Sequence, residues 1–265
     1  MKQTLSVLFL GDQVGEQAVA FTVASLPMLI EQYAVDFCIV NGENAHQGRG
    51  MNDQIAKKLF DAGVDVITGG DHSFDKHLVF PLMMREKRLL RPLNYPEGAP
   101  GYGYGVYKLA TAGVSIAVIN LRGQSYFQNP IDCPFRSADR ALLDVQATTP
   151  IVFVDFHAEA TAEKIGLAHY LDGRVSVVVG THTHVQTADE RLLPGGTGFI
   201  TDAGCCGPLH SVIGMDIATA LDRFLIQIPQ KYQTAEGRLG IRGVHATLDA
   251  QTGKCLALQR IVLDE

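Results

Sequence analysis

An apolar run that ends in two histidines is the feature that most constrains how this chain can fold. Residues 175–179 read Val-Ser-Val-Val-Val, and after Gly180 and Thr181 come His182 and His184. A run this apolar predicts a strand buried on both faces, as in the parallel sheets of α/β proteins. Such sheets bind ligands at their carboxyl edge, so we expect both imidazoles to lie in a crevice there. A metal site is the first hypothesis, and it requires further ligands.

Polar residues of metal-binding type also follow four other predicted strands. The strands are residues 5–10, 35–40, 64–68 and 150–156, and the polar residues that follow them are Asp12, Asn41, Glu43, Asn44, Asp71, His72 and His157. We expect the five strand ends to converge on one site at the edge of the sheet. Carboxylates mixed with imidazoles suit two divalent transition ions such as Mn, Fe or Zn, whereas an all-oxygen set would suit Mg or Ca.

These residues also have purely structural interpretations. Asp12 could cap the helix that follows it, Asn41 and Asn44 could form turns, and His157 could be a buried, hydrogen-bonded histidine. Capping and packing that act independently would not place Asp, Glu and His at successive strand ends, so we favour metal binding. The histidines that lack such support, and that we do not expect to bind metal, are His46, His77, His169, His210 and His245.

The same segments, in the same order, also resemble a known family. They are Gly11-Asp12, Asn41-Gly-Glu43-Asn44, Gly70-Asp71-His72, Asp155-Phe-His157-Ala-Glu-Ala-Thr161, the stretch 180–189 around the two histidines, Gly204-Cys-Cys-Gly-Pro208 and Ile213-Gly-Met215. With them the chain is similar, over nearly its whole length, to the calcineurin-like binuclear metallophosphoesterases, and within these to the YmdB-like bacterial phosphodiesterases. The resemblance implies an α/β fold of four layers, in which two mixed β-sheets are flanked by helices.

The resemblance also implies two sets of metal ligands that share one carboxylate. The set for the first metal is Asp12, Glu43, Asn44 and His184, and the set for the second is Glu43, Asp71, His157 and His182. Glu43 would bridge two transition-metal ions, with iron or manganese preferred to zinc. His72 follows a ligand directly and is expected to meet the substrate, where it would protonate the leaving oxygen or stabilise the transition state, and Asp75 would orient it.

Position 71 departs from the family pattern. The family motif is normally Gly-Asn-His, whereas this chain has Gly70-Asp71-His72, and Phe74 stands where the family usually has Trp. Two divalent ions, three carboxylates and a bridging hydroxide sum to a charge of about zero, whereas the set with Asn sums to about +1. We therefore expect Asp71 to tighten metal binding and to weaken the attraction of the centre for an anionic phosphate.

Composition sets limits on the class of protein. A chain of 265 residues in which strands alternate with helical stretches, without a charged or Pro/Ser-rich linker, predicts a single domain over residues 1–265. The net charge of −6 is scattered, which argues against stable nucleic-acid binding. No apolar run approaches the roughly 20 residues of a membrane span, and no signal-peptide pattern is visible, so a cytoplasmic location without membrane contact is expected. Five cysteines without a Cys-x-x-Cys spacing predict reduced thiols.

Periodicity predicts the remaining elements. Helices are expected over residues 17–33 and 52–62, and a strand pair is expected at 105–109 and 114–120 with a turn at 111–113. Residues 91–107 are too rich in Gly and Pro for a helix and carry Tyr95, Tyr102 and Tyr104 on a predicted surface loop, which could support a homo-oligomer. The last third is expected to contribute antiparallel strands at residues 199–201, 225–228, 243–248 and 256–262.

Three functions are compatible with this pattern. The resemblance favours a phosphodiesterase that hydrolyses a small cyclic nucleotide, 2′,3′- or 3′,5′-cyclic, through a metal-bridging hydroxide. A phosphomonoesterase or nucleotidase would use the same cluster, and relative turnover of bis-p-nitrophenyl and p-nitrophenyl phosphate would separate the two. The third candidate is a regulatory metal-binding protein with weak turnover.

Overall fold

Two β-sheets packed face to face form the centre of the molecule. The computed structural model describes residues 2–109 and 113–265. Along these residues the strands are β1 (Thr4–Leu10), β2 (Asp12–Gln13), β3 (Phe37–Asn41), β4 (Val66–Thr68), β5 (Tyr104–Leu109), β6 (Val114–Arg122), β7 (Val152–His157), β8 (Val177–Thr181), β9 (Arg191–Leu192), β10 (Gly198–Ile200), β11 (Cys205–Pro208), β12 (Leu239–Asp249) and β13 (Cys255–Asp264). The helices are α1 (Gly15–Gln32), α2 (Asp53–Asp61), α3 (Phe80–Arg85), α4 (Pro134–Val145), α5 (Thr161–Leu171) and α6 (Ile217–Ile226).

Each sheet is mixed. The first has seven strands in the order β2-β11-β12-β1-β3-β4, with β13 paired to β12, and the second has six in the order β5-β6-β7-β8-β10-β9. In the first sheet β1, β3 and β4 run parallel, and in the second β6, β7, β8 and β10 do so. The antiparallel strands lie next to these parallel groups or at the sheet edges, as β12 and β5 do.

A continuous apolar core lies between the two sheets. Phe9 of β1 stacks on Phe153 of β7 across the interface, with the ring centroids 5.4 Å apart. Ile39 of β3 and Val179 of β8 belong to the same buried cluster. The two sheets therefore hold each other in a fixed position, which fixes the strand ends of one sheet relative to those of the other.

Helices cover the outer faces of both sheets. Leu26 of α1 and Leu59 of α2 pack with Leu8 and Val40 of the first sheet. Residues of α4 and α5 pack in the same way on β6, β7 and β8 of the second sheet. The order helix, sheet, sheet, helix is the α/β sandwich of four layers that the family resemblance implies.

Most predicted elements are confirmed, with boundaries moved by a few residues. The helices predicted at 17–33 and 52–62 are α1 and α2, and the strands predicted at 243–248 and 256–262 are β12 and β13, which pair antiparallel. The predicted turn residues Thr111 and Ala112 lie outside the described residues. Tyr104 is a correction, since it belongs to β5 and not to the loop before it.

One strand prediction in the last third is wrong, and another is confirmed in part. In place of the strand expected at residues 225–228, Leu225 and Ile226 are the last residues of α6, and Gln227 is its C-cap. The helix follows Asp216, which caps it by accepting a hydrogen bond from the Thr219 N–H at 2.9 Å. Phe199 lies in β10, which pairs antiparallel with β9 as expected and also pairs in parallel with β8 on its other side. Within residues 2–109 and 113–265, none of the helices has the length and apolarity that crossing a membrane would require.

The stacked phenylalanines predict how much the contact between the sheets contributes to stability. Phe153→Ala should lower the free energy of unfolding by about 3 to 5 kcal/mol, because it leaves a cavity between two rigid sheets. Phe224→Ala is the matched control, since Phe224 is 68% exposed on α6 and should change stability by less than about 0.5 kcal/mol. Urea denaturation measures both, and equal losses would contradict this account of the core.

Candidate metal centre

Five strand ends from the two sheets meet at one place. In the first sheet Asp12, Glu43 and Asp71 follow the parallel strands β1, β3 and β4. In the second sheet His157 is the last residue of β7, and His182 follows the neighbouring strand β8. Parallel neighbours end at the same edge, so the topology alone gathers the ends within each sheet. The packed interface between the sheets then brings the two groups together.

Four side chains form the tightest part of the cluster. Glu43, Asp71, His157 and His182 each offer one ligand atom, and these atoms lie within 4.8 Å of one another. His157 Nε2 is 3.1 Å from Glu43 Oε1, 3.1 Å from Asp71 Oδ1 and 3.0 Å from His182 Nδ1. Glu43 and His157 are buried, whereas Asp71 and His182 are about one-fifth exposed, at 20% and 21%. A small molecule can therefore reach one side of the cluster.

Neighbouring groups set the tautomer of both histidines. The Thr181 hydroxyl donates its single hydrogen to Asp155 Oδ1 at 2.8 Å, so it must accept one from His157 Nδ1 at 2.9 Å. Glu159 Oε2 lies 3.1 Å from His182 Nε2 and can only accept. When both imidazoles are neutral, the remaining nitrogens, His157 Nε2 and His182 Nδ1, carry lone pairs that point into the cluster. Histidines that bind metals are held by outer partners in this way.

A second group of acceptors lies beside the first. His184 Nδ1 donates to the Ile213 carbonyl at 2.8 Å, which leaves the lone pair of Nε2 facing Asn44 Oδ1 at 3.2 Å. Asn44 Nδ2 donates to the Gly48 carbonyl at 3.1 Å. Asp12 Oδ1 is buried and has no hydrogen-bond partner among the described residues. Two acceptors that face each other, next to a carboxylate oxygen without a partner, fit a cation and not a hydrogen-bond network.

The pKa values show how strongly these groups depend on positive charge. Burial raises the pKa of Asp12. Asp71 is also desolvated, yet hydrogen bonds from His157 and His182 hold its pKa well below the usual range. Burial disfavours the His157 imidazolium, but Glu43 and Asp71 raise the pKa of that imidazole well above its ordinary value. A proton on His157 thus offsets the carboxylates, and a metal ion in its place would offset them more fully.

The turn that carries His182 and His184 is strained. Both residues have positive φ, +96° and +64°, which residues other than glycine rarely adopt. A buried ion pair holds the turn, since Asp202 Oδ2 accepts from Lys164 Nζ at 2.7 Å and from the Thr183 hydroxyl at 2.7 Å. The hydrogen bond to Asp202, which is held in turn by Lys164 of α5, compensates the strain. The strained backbone allows one short segment to direct both imidazoles toward the cluster.

His72 lies next to the cluster and outside its four closest ligands. Its Nδ1 is 3.1 Å from Asp75 Oδ2, and its Nε2 is 3.6 Å from Asp71 Oδ2. The Asp75 carboxylate can only accept a hydrogen bond, so it favours the tautomer with hydrogen on Nδ1. The side chain is 19% exposed. His72 is thus oriented by Asp75 and accessible from the open side of the cluster.

The structure excludes one alternative interpretation. The N-cap of α1 is Val14, so Asp12 does not cap that helix. Asn41 does stabilise a local turn, because its Oδ1 accepts a hydrogen bond from the Glu43 N–H at 3.1 Å.

All five cysteines are free, and burial raises the pKa of Cys205 and Cys206, which keeps them as thiols.

Sequence reasoning gave no role to three residues that support the site. Asp155 accepts hydrogen bonds from Asn41, Thr68 and Thr181, and burial raises its pKa to about 6. An acidic residue in an otherwise apolar strand was a usable signal, because a buried carboxylate needs partners. Thr181 and Glu159 gave no comparable signal, since their roles depend on which imidazole nitrogen they face.

Comparison with known proteins gives matches over the whole fold. The sequence model of a family described as YmdB-like protein matches residues 8–261. The 2′,3′-cyclic-nucleotide 2′-phosphodiesterase of Bacillus subtilis (strain 168) is 43% identical over 261 residues, which cover 98% of each chain. A hypothetical protein from Thermus thermophilus has a crystal structure with a TM-score of 0.92 and 39% identity, covering 98% of this chain and 100% of that one. A novel phosphatase from Mycoplasma pneumoniae has a TM-score of 0.93 and 31% identity, covering 100% and 95%.

The contact between Thr181 and His157 predicts a change in metal affinity. Thr181→Val removes the hydroxyl that fixes the His157 tautomer and should weaken divalent-metal binding by about 10- to 100-fold. Thr197→Val is the matched control, because Thr197 is also buried and donates its hydroxyl hydrogen to a carbonyl, that of Val175, which is not part of the cluster. Calorimetric titration of both variants with Mn²⁺ measures the difference. Equal affinity in the two variants would show that Thr181 does not orient a ligand.

Proposed function

The chain belongs to the YmdB-like protein family, and from this premise we propose that it is a metal-dependent phosphodiesterase that hydrolyses 2′,3′-cyclic nucleotides. The observation that carries the proposal is the cluster of Glu43, Asp71, His157 and His182, in which each side chain offers a ligand atom to one point. The activity named for the Bacillus subtilis relative, which matches along 98% of this chain, supports the choice of substrate.

Two metal ions fit the two groups of acceptors. The first would be held by Asp12, Glu43, Asn44 and His184, and the second by Glu43, Asp71, His157 and His182, with Glu43 between them. The unpartnered Asp12 Oδ1 and the Nε2 lone pair of His184 support the first set, and the inward lone pairs of His157 and His182 support the second. When bound, such ions supply Lewis acidity toward phosphoryl oxygens and lower the pKa of a water molecule. Mixed carboxylate and imidazole ligands favour iron or manganese, with zinc as a further candidate.

His72 is placed to assist the leaving group. In hydrolysis the oxygen of water joins phosphorus, the bond from phosphorus to O2′ breaks, and O2′ takes up a proton, which leaves a nucleoside 3′-monophosphate. The Asp75 contact keeps the His72 imidazole in one orientation, with Nε2 toward the cluster. A protonated His72 Nε2 can therefore donate to O2′ as negative charge develops on it. Asp75 acts through His72 as a positioning residue.

The proposed role of His72 predicts a loss of turnover without a loss of metal. His72→Asn should lower kcat for adenosine 2′,3′-cyclic phosphate by about 10²- to 10⁴-fold, because the leaving oxygen loses its proton donor. His169→Asn is the matched control, since His169 is exposed on α5. Metal content measured by elemental analysis should be equal in both variants. If the wild type hydrolyses p-nitrophenyl phosphate far faster than bis-p-nitrophenyl phosphate, the enzyme is a phosphomonoesterase and the proposal is wrong.

Position 71 predicts a change in metal preference. Asp71→Asn removes one negative charge from the ligand set, so metal affinity should fall while hydrolysis of the cyclic nucleotide is retained. Titration with Mn²⁺, Zn²⁺ and Fe²⁺, followed by assays of each loaded form, measures both effects. A folded variant that binds no metal and has no activity would contradict the charge argument, because it would show that the carboxylate itself is indispensable.

A further inference from the structure

A cavity of about 630 Å³ is lined in part by residues that follow the candidate metal ligands along the chain, and its wall has an unusual charge. Its volume lies within the range typical of small-molecule sites, roughly 300 to 1,000 Å³. Four of its lining residues are basic, namely Arg49, Lys76, Arg223 and Lys231, and none is acidic. We refer to it as the basic cavity. The chain as a whole has 28 acidic and 22 basic residues, so this wall has the opposite charge balance to the rest of the protein.

The cationic side chains of the basic cavity are largely without carboxylate partners. Arg49 Nη1 has its nearest carboxylate contact at 3.9 Å, with Asp75. In the part of the chain that the structure describes, no carboxylate oxygen lies within 4.0 Å of the charged nitrogens of Lys76, Arg223 or Lys231. Cations that share a concave wall repel one another and attract small anions to it. The basic cavity therefore has the electrostatics of an anion site.

The basic cavity shares residues with the loops that carry the metal-binding side chains. The Asp75 oxygen that faces Arg49 is also the one 3.1 Å from His72 Nδ1, so a single carboxylate separates the cavity from the expected proton donor. Lys76 follows Asp75 directly. Arg49 also follows Gly48, whose carbonyl accepts a hydrogen bond from Asn44. Because Asp75 lies between Arg49 and His72, an anion in the basic cavity would lie on the His72 side of the metal centre.

Packing fixes one wall of the basic cavity against a metal-binding loop. Gly48 has φ +76°, and a Cβ built on it would lie 2.0 Å from Tyr232 Cε1. Only glycine allows this contact between the loop of Asn44 and the segment that carries Lys231. Burial raises the pKa of Tyr232 to about 12, so its hydroxyl keeps its proton. Gln47, Gln227 and Gln230 add amide groups to the lining, which can donate hydrogen bonds to phosphate oxygens.

We propose that the basic cavity binds the 5′-phosphate of a nucleotide whose 2′,3′-cyclic phosphate lies at the metal centre. This inference rests on the proposed function. A 2′,3′-cyclic nucleotide has its reacting phosphate on one side of the ribose and O5′ on the other, so a second phosphate reaches a neighbouring site and not the same one. Guanidinium groups such as Arg49 and Arg223 suit the bidentate recognition of phosphate. A 3′,5′-cyclic nucleotide has no free 5′-phosphate and could not use the cavity in this way.

Two sources provide the same chemistry. The 5′-phosphate can be a terminal monoester, or it can be the internucleotide phosphodiester of a short RNA that ends in a cyclic phosphate. A cavity of this size has room for one phosphate with its nearest sugar. Both sources place a negatively charged phosphate on O5′, and experiment distinguishes between them.

Three substrates test the proposal in the metal-loaded wild type. They are adenosine 2′,3′-cyclic phosphate, the same molecule with a 5′-phosphate, and the dinucleotide ApA with a 2′,3′-cyclic end. We expect kcat/KM to be at least about tenfold higher for one or both of the molecules that carry a phosphate on O5′, with the gain mainly in KM, since charge-assisted contacts have this magnitude. Preference for the monoester or for the dinucleotide identifies the source. Equal kcat/KM for all three substrates would overturn the inference while leaving the proposed function intact.

Variants locate the effect in the basic cavity. The double variant Arg223→Gln with Lys231→Gln should lose the ratio of kcat/KM between 5′-phosphorylated and unphosphorylated substrate, because both cations are removed without a large change in shape. The matched control is Lys57→Gln with Arg140→Gln, which removes two exposed cations that pair with Asp61 and Asp132 away from the cavity. An unchanged ratio in the cavity variant would overturn the assignment.

A binding measurement separates failure of the inference from failure of the proposed function. Calorimetric titration compares adenosine 3′,5′-bisphosphate with adenosine 3′-monophosphate, and we expect the bisphosphate to bind at least about tenfold more tightly in the wild type and not in the cavity variant. Absence of cyclic-nucleotide hydrolysis with this difference in affinity retained would overturn the proposed function and support the anion site. Equal affinity for the two nucleotides would overturn the anion site itself.

Discussion

Repulsion among buried acceptor atoms at the joint edge of the two sheets is the constraint on which the rest of the structure depends. His157 Nε2 lies 3.1 Å from two carboxylate oxygens and 3.0 Å from a second imidazole nitrogen, and the outer hydrogen bonds turn the lone pairs of both rings inward. Removing such groups from water is costly unless a cation compensates them. In the protein alone this role falls to a proton on His157, whose pKa is raised for that reason. The same geometry offers a divalent ion several ligands at once.

The fold supplies the rigidity that keeps these atoms close in spite of their repulsion. Parallel strands bring the ligands of each sheet to one edge, and the contact of Phe9 with Phe153 holds the two edges together. The strained turn at His182 and His184 is retained because Asp202, which is itself paired with the buried Lys164, accepts hydrogen bonds from Thr183. Removing one partner of such a pair leaves a buried charge uncompensated, which costs about 3 to 5 kcal/mol. Stability of the core and geometry of the site are therefore coupled.

The sequence predicts the site better than it predicts the supporting contacts. Buried strands that each end in a polar residue are a local pattern, so Asp12, Glu43 and His157 can be predicted as site residues from the runs that precede them. The partner of each imidazole is a matter of tertiary geometry, and nothing local distinguishes Thr181 or Glu159 from other threonines and glutamates. The strand wrongly expected at 225–228 has a similar cause, because apolar composition alone does not separate a strand from a helix that is exposed on one side, and only the cap at Asp216 marks the difference.

The charge of the candidate metal centre and the charge of the basic cavity both affect how strongly the protein attracts an anionic phosphate. With two divalent ions bound as proposed, the carboxylate of Asp71 would bring the ions and their ligands close to neutrality and would reduce their attraction for a phosphate. The anionic substrate proposed here would also have to approach a protein of net charge −6. Four cations in the adjacent cavity provide a local attraction that does not alter the ligands themselves. Metal binding then depends on the side chains at the strand ends, whereas the attraction of an anionic substrate depends on the cations of the basic cavity.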